Sequence, residues 1–172
     1  MKTSSFTTPI TNKRSNKSHI TSIKKSQINM QDTAVVLLGA GIGSRIRSHE
    51  PRSLIKIENK TLIQHQVTTI RELFKEPEII SVVGCKAQKV IKKIRGDVRI
   101  VENQIYNDTN ASESMRLAFN SSTRSSFLFM HGDLYFNKNT LNVDYSKSFI
   151  LVDNKGMISY KEVGVTVCDG RA

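Results

Sequence analysis

Residues 34–38 read Ala-Val-Val-Leu-Leu, an unbroken apolar run that passes directly into Gly39-Ala40-Gly41-Ile42-Gly43-Ser44-Arg45. Such a run, rich in β-branched residues and without polar alternation, is how a strand covered on both faces reads. Strands of that kind sit in parallel sheets with helices on either side. The pattern recurs at Ile79–Val83, Val98–Val101 and Phe127–Met130, and further strands are expected at Phe149–Val152 and Val163–Val167, the last ending at the turn signal Asp169-Gly170. Between them, Leu62, Val67, Ile70 and Leu73 lie at helical spacing within Thr61–Phe74, and Lys86–Ile94 reads as a short basic helix. Asn110-Ala-Ser-Glu113 has the form of a capping box, with Asn110 as N-cap of a helix through Met115, Leu117 and Ala118. Strands alternating with helices predict an α/β fold: a three-layer, Rossmann-like, mostly parallel sheet flanked by helices.

In such sheets ligands bind beyond the carboxyl ends of the strands. That directs attention to 39–45, 84–86, 102–112 and 131–133. Glycines permit positive φ and close backbone approach, and successive amides in a bend make a concavity for phosphate oxygens. Arg45 adds a planar cation suited to phosphate. The bend is not a Walker loop, since it lacks a trailing Gly-Lys-Ser/Thr, and G-x-G-x-G is not the dinucleotide fingerprint. The competing reading is a tight turn that serves strand-to-helix packing alone.

The net charge of +11 is unevenly spread. Residues 1–31 carry Lys2, Lys13, Arg14, Lys17, Lys24 and Lys25 with no acid, which leaves +5 on 32–172. Rich in Ser, Thr, Asn and Lys, 1–31 reads as a disordered basic tail ahead of one domain at 32–172. A transit peptide, an arm touching nucleic acid, or a natural start at Met30 are the other readings of that tail. No nucleic-acid recognition module accompanies it, which argues against nucleic acid as the partner. The longest apolar stretch, 34–43, falls far short of the ~20 residues of a membrane span. Cys85 and Cys168 are too few for a disulfide framework and fit a reducing, cytoplasmic setting.

Downstream of the bend the pattern becomes more specific. Leu38-Gly39-Ala40-Gly41-Ile42-Gly43-Ser44-Arg45, then Pro51-Arg52-Ser53-Leu54, then Asn59-Lys60-Thr61-Leu62-Ile63 stand in order, with Val83-Gly84-Cys85-Lys86-Ala87 and Gly132-Asp133 after them. Over about residues 34–170 this constellation resembles the sugar-nucleotidyltransferase (NTP transferase) family, with its glycosyltransferase-A-like fold. The family's forms are Leu-Ala-Ala-Gly-x-Gly-x-Arg, Pro-Lys-x-Leu, a Lys-Pro-Leu-Ile turn, a Gly-Tyr-Lys-Ala step and a metal-binding Gly-Asp. The resemblance implies that Leu38, Gly39, Ala40, Gly41, Ile42, Gly43, Ser44 and Arg45 bind a nucleoside triphosphate. It further implies that Arg45 and Arg52 stand at the reacting phosphates and that Asp133 holds Mg²⁺. Arg52 departs from the family's lysine, and a planar fork is not equivalent to an ammonium. For Asp133 the alternative is a turn residue capping local backbone.

The implied reaction joins two anions: an acceptor phosphate oxygen attacks the α-phosphorus and pyrophosphate leaves, so cations must neutralise the approach. The acceptor oxygen is already ionised, so neither His49 nor His131 needs a catalytic role. Asn107-Asp108-Thr109-Asn110-Ala111-Ser112-Glu113-Ser114 and Phe149-Ile150-Leu151-Val152-Asp153 resemble the phosphocholine cytidylyltransferase branch. That points to CTP and a small phosphorylated acceptor, with Asn110 and Ser112 facing base or acceptor, or else serving only as caps. A choline pocket would call for an aromatic cage, to which Tyr106, Tyr135, Tyr145 and Tyr160 cannot be assigned from sequence. The family domain is usually longer and supplies a second acid, for which Asp153 and Asp169 are candidates, so 32–172 is expected to be incomplete. The rival expectations are a non-catalytic nucleotide-binding domain and a nucleic-acid-binding protein using the tail.

Overall fold

The apolar runs at Ala34, Ile79, Val98 and Phe127 form one parallel sheet in the computed structural model, which describes residues 28–29, 31–41, 50–94 and 96–152. In chain order the elements are β1 (Ile28–Asn29), β2 (Thr33–Leu38), a 3₁₀ turn (Arg52–Leu54), β3 (Lys56–Ile57), β4 (Lys60–Thr61), α1 (Leu62–Leu73), β5 (Phe74–Lys75), β6 (Glu78–Val83), α2 (Ala87–Ile91), β7 (Val98–Glu102), α3 (Ala111–Ser121) and β8 (Ser126–His131). The central sheet has the order β7-β6-β2-β8. β3 and β4 form a small antiparallel ribbon, and β1, which lies within the segment read as a tail, pairs in parallel with β5. The expected strand at 163–167 with its turn at 169–170, residues 1–27, Ile42 to Arg45, Asp153, Tyr160, Cys168 and Asp169 lie outside the described residues.

Period-two alternation sorts the sheet's side chains between two cores. Val35, Leu37, Ile79 and Met130 pack with Ile63, Val67 and Ile70 of α1. Ala34, Val36, Ile80 and Val82 face the other way, against Ala118 of α3 and the rings of Phe127 and Phe129. Val83 shares the α1 side and seats Ala87 and Val90 of α2. The three-layer arrangement is therefore as expected. The chain steps from β2 through α1 to β6 and through α2 to β7, then crosses back on the opposite face through α3 to β8. The strand order reverses between β2 and β8, and that reversal opens a crevice at their carboxyl ends.

Two local expectations need correction. Asn110 does cap α3, its Oδ1 accepting from the Ser112 amide at 2.9 Å. Glu113, however, does not reach back to complete a box. It pairs with Arg116 one turn on, through contacts of 2.8 and 2.7 Å, where a guanidinium is a better partner than a neutral amide. The backbone half of a box occurs instead at α1, where Gln64 Oε1 accepts from the Thr61 amide at 2.9 Å. Phe149–Val152 is not a strand, and Ile150 and Val152 are 61% and 64% exposed. An apolar run becomes a strand only where an edge supplies ladder partners, and these residues pair with neither β7 nor β8. Phe149 instead sets its ring edge-on to Tyr145.

Candidate active site

The strand ends are level: Leu38 pairs with Val82 and His131, and Val83 with Glu102. The glycine bend thus leaves β2 between the ends of β6 and β8, and backbone bonds pin it to both. Gly39 N donates to Val82 O at 2.9 Å, Cys85 N donates to Ala40 O at 3.1 Å, and Gly132 N donates to Leu38 O at 2.9 Å. A Cβ on Gly132 would lie 2.9 Å from Leu38 O and 3.0 Å from Gly39 Cα, so the β8 turn can touch the bend only without a side chain. A Cβ on Gly41 would meet nothing within 4 Å among the described residues. Neither Gly39 nor Gly41 has a positive φ. What the described bend requires of glycine is close approach, then, not left-handed backbone. Packing explains Gly39 and Gly132; among the described residues nothing packs against Gly41.

Arg52 enters from the 3₁₀ turn, which is closed by Leu54 N to Pro51 O at 2.9 Å and Ile55 N to Arg52 O at 3.0 Å. Its Nη1 donates to Asp133 Oδ2 at 2.5 Å, and the two side chains are 24% and 33% exposed. The Nε of Arg52 and the Oγ of the neighbouring Ser53 are buried without hydrogen-bond partners among the described residues. Ser53 packs beside Gly39. Asp133 stands just after β8, in a turn strapped from below by Gln66 of α1. The Gln66 Nε2 donates to His131 O at 2.9 Å and to Leu134 O at 2.8 Å. The bend, Arg52 and Asp133, which sequence reasoning singled out separately, therefore meet at one place.

Two positioning residues were missed. Gln66 is 1% exposed and sits between Leu62 and Ile70 on the buried stripe of α1. A lone amide on an apolar helical face is the signal that would have found it. Asn103, also 1% exposed, comes directly after β7. Its Nδ2 donates to Thr109 Oγ1 at 3.1 Å and Ser114 Oγ at 3.3 Å, and its Oδ1 accepts from Ile105 N at 3.1 Å, which folds the 103–110 loop over the start of α3. Asn110 and Ser112 are exposed at that start, with the Asn110 oxygen engaged in the cap.

Further cations gather near the same edge. Lys86 and Lys89 donate to Glu50 Oε1 at 2.9 and 2.7 Å. The hydrogen bonds from Lys89 and then Lys86 hold the Glu50 carboxyl below the usual carboxylate range. At the opposite end of the sheet a cavity of about 410 Å³ is lined by Glu76, Glu78, Asp97, Arg99 and Arg124. Glu78 there takes Ser122, Arg124 and Arg99. Asp133 offers hard oxygen to a divalent ion, but no group of three or more His, Cys, Asp or Glu residues that could hold one exists among the described residues. A Mg²⁺ here would take one protein carboxylate and complete its shell from substrate phosphates and water, which is a common habit of that ion.

The profile of the MobA-like NTP transferase domain matches residues 35–143. The choline-phosphate cytidylyltransferase of Streptococcus pneumoniae is 30% identical over 116 residues, covering 66% of this chain and 50% of that protein. The bifunctional protein GlmU of Hydrogenovibrio crunogenus is 41% identical over 63 residues, covering 37% of this chain and 14% of its own length. Among solved structures, the CTP:phosphocholine cytidylyltransferase of S. pneumoniae superposes with a TM-score of 0.52 at 28% identity, over 63% of this chain and 50% of that one. A nucleotidyl transferase from Methanothermobacter shares the fold, with a TM-score of 0.55 at 21% identity over 64% and 55% of the two chains. This chain thus spans half or less of the length of these two curated relatives.

Proposed function

The chain belongs to the MobA-like NTP transferase domain family, and from that premise we propose that it transfers the nucleotidyl group of an NTP, CTP by preference, to a small phosphorylated acceptor with release of pyrophosphate. The acceptor class is a sugar 1-phosphate or a phospho-alcohol. The observation that carries this reading is the meeting of the glycine bend, Arg52 and Asp133 in the crevice between β2 and β8. The preference for CTP draws on the cytidylyltransferase relatives.

In this reading the amides of 39–45 and the Arg45 guanidinium grip the triphosphate. An acceptor phosphate oxygen forms the new bond to the α-phosphorus as the α–β bridge breaks, and pyrophosphate departs with the bridging oxygen and its electron pair. Arg52 faces the phosphates and offsets the repulsion between donor and acceptor. Asp133 would hold Mg²⁺, which when bound neutralises phosphate charge. Gln66 sets the height of the Asp133 turn, and Asn103 shapes the loop that carries Asn110 and Ser112 towards base or acceptor. No proton needs removing, so no general base enters. Among the described residues no helix is long and apolar enough to cross a membrane, and the scarcity of cysteine leads us to place the chain in the cytoplasm.

The test is pyrophosphate release measured across four NTPs with a panel of phosphorylated sugars and alcohols. Release with CTP and one acceptor class is expected. Saturable NTP binding with no release from any pair would instead favour a non-catalytic nucleotide-binding domain, a reading to which the arginine at position 52 lends support.

A further inference from the structure

We propose that Arg52 occupies Asp133 in the free protein and so makes divalent-metal binding conditional on nucleotide. The inference rests on the reading of Asp133 as the metal ligand. The pair is short, 2.5 Å, and charge-assisted, with the two side chains only partly exposed. Neither partner drifts as two long surface chains would: the 3₁₀ turn fixes one end and the Gln66 strap the other. A divalent ion entering alone would bond the same carboxylate with a guanidinium at contact distance, so two cations would share one anion. No group of three or more His, Cys, Asp or Glu residues among the described residues offers the ion another seat.

A triphosphate changes the balance. Among the described residues the buried Arg52 Nε has no acceptor, so the guanidinium is under-satisfied while its Nη1 holds Asp133. Phosphate oxygens present several acceptors in the geometry a planar fork matches. Once Arg52 turns to them, Asp133 is released for the metal, which arrives beside a polyanion instead of beside a bare cation. Nucleotide and metal then bind with positive coupling, and linkage requires the coupling to be mutual.

The test uses Mn²⁺ titrated into the full chain and monitored by electron paramagnetic resonance, without substrate turnover. Without nucleotide, wild type is expected to show no saturable site up to about 1 mM Mn²⁺. Arg52→Gln, and Arg52→Ala as a second variant in case the first misfolds, each gain one site, and adding Asp133→Asn removes it. A non-hydrolysable CTP analogue tightens Mn²⁺ binding to wild type by roughly five- to a hundredfold relative to Asp133→Asn. Wild type that binds Mn²⁺ alone within twofold of Arg52→Gln overturns the conditional step while leaving Asp133 as the ligand. Mn²⁺ binding unaffected by Asp133→Asn in every background overturns the ligand reading itself, and this proposal with it.

Discussion

Gln66 Nε2 lies 2.9 Å from the carbonyl oxygen of His131, and through a second bond to Leu134 O at 2.8 Å it fixes the turn that presents Asp133. Gln66→Leu keeps the volume and the apolar stripe of α1 but removes the side-chain donor to both carbonyls, leaving His131 O with the Leu134 amide at 3.3 Å. The expected loss of stability is about 1–3 kcal/mol, the cost of leaving buried polar groups unmade. Turnover is expected to fall further than stability alone explains, because the Asp133 turn is no longer held. Urea unfolding gives the first quantity and pyrophosphate release at a temperature where the variant stays folded gives the second. A variant as active and as stable as wild type would remove Gln66 from the site.

Two glycines of the same edge should separate packing from ligand contact. Gly132→Ala drives a Cβ to 2.9 Å from Leu38 O and 3.0 Å from Gly39 Cα, backbone atoms that cannot swing aside. It should cost about 1–3 kcal/mol, as overpacking does, and disturb the bend. Gly41→Ala meets nothing within 4 Å among the described residues and is not at positive φ, so its effect on stability should stay within about 0.5 kcal/mol. If phosphate oxygens approach the amides there, the same methyl weakens NTP binding. Thermal melts paired with nucleotide titrations read both effects; unchanged affinity in Gly41→Ala would show that this side of the bend faces only solvent.

Much of this arrangement was visible in the residues themselves, for a physical reason. Burial on both faces writes itself into Ala34–Leu38 and Ile79–Val83 as unbroken apolar runs, and strand-end chemistry then marks the residues just beyond them. The Arg52–Asp133 pair was not visible, because the two stand 81 residues apart and only the reversal of strand order brings them together. Gln66 looked like one more polar residue of an amphipathic helix until α1 turned it inward. Phe149–Val152 had the composition of a strand, but composition cannot supply a pairing edge.

Alkaline pH should act through Tyr145. Burial pushes its hydroxyl up to about 12 from an ordinary value near 10, and the hydroxyl donates to Leu141 O at 2.6 Å while the ring packs edge-on to Phe74. A raised pKa means the fold favours the protonated form. Its contribution is therefore complete below pH 10 and is lost as pH climbs from 10 through 12. Urea midpoints taken from about pH 9 to about pH 11 should fall more steeply for wild type than for Tyr145→Phe. At neutral pH that variant should lose about 1 kcal/mol, the hydrogen bond alone. Parallel pH profiles for the two proteins would show that Tyr145 titrates like a solvent-exposed phenol.

Asp133→Ala should separate binding from chemistry. Removing the carboxylate frees Arg52 from its 2.5 Å contact, and a guanidinium without its counter-charge attracts a triphosphate more strongly. NTP affinity measured without metal should therefore hold or rise. Stability should change by no more than about 1 kcal/mol, the usual worth of a partly exposed ion pair. Metal-dependent turnover, in contrast, should fall by about 10²–10³-fold or more, because charge developing on the phosphates loses a fixed stabiliser. Asp133→Asn keeps the shape and removes the charge, and should behave alike in turnover. Pyrophosphate release at saturating NTP and a series of Mg²⁺ concentrations distinguishes the outcomes: turnover equal to wild type in both variants would leave Asp133 as a turn residue and move the metal elsewhere.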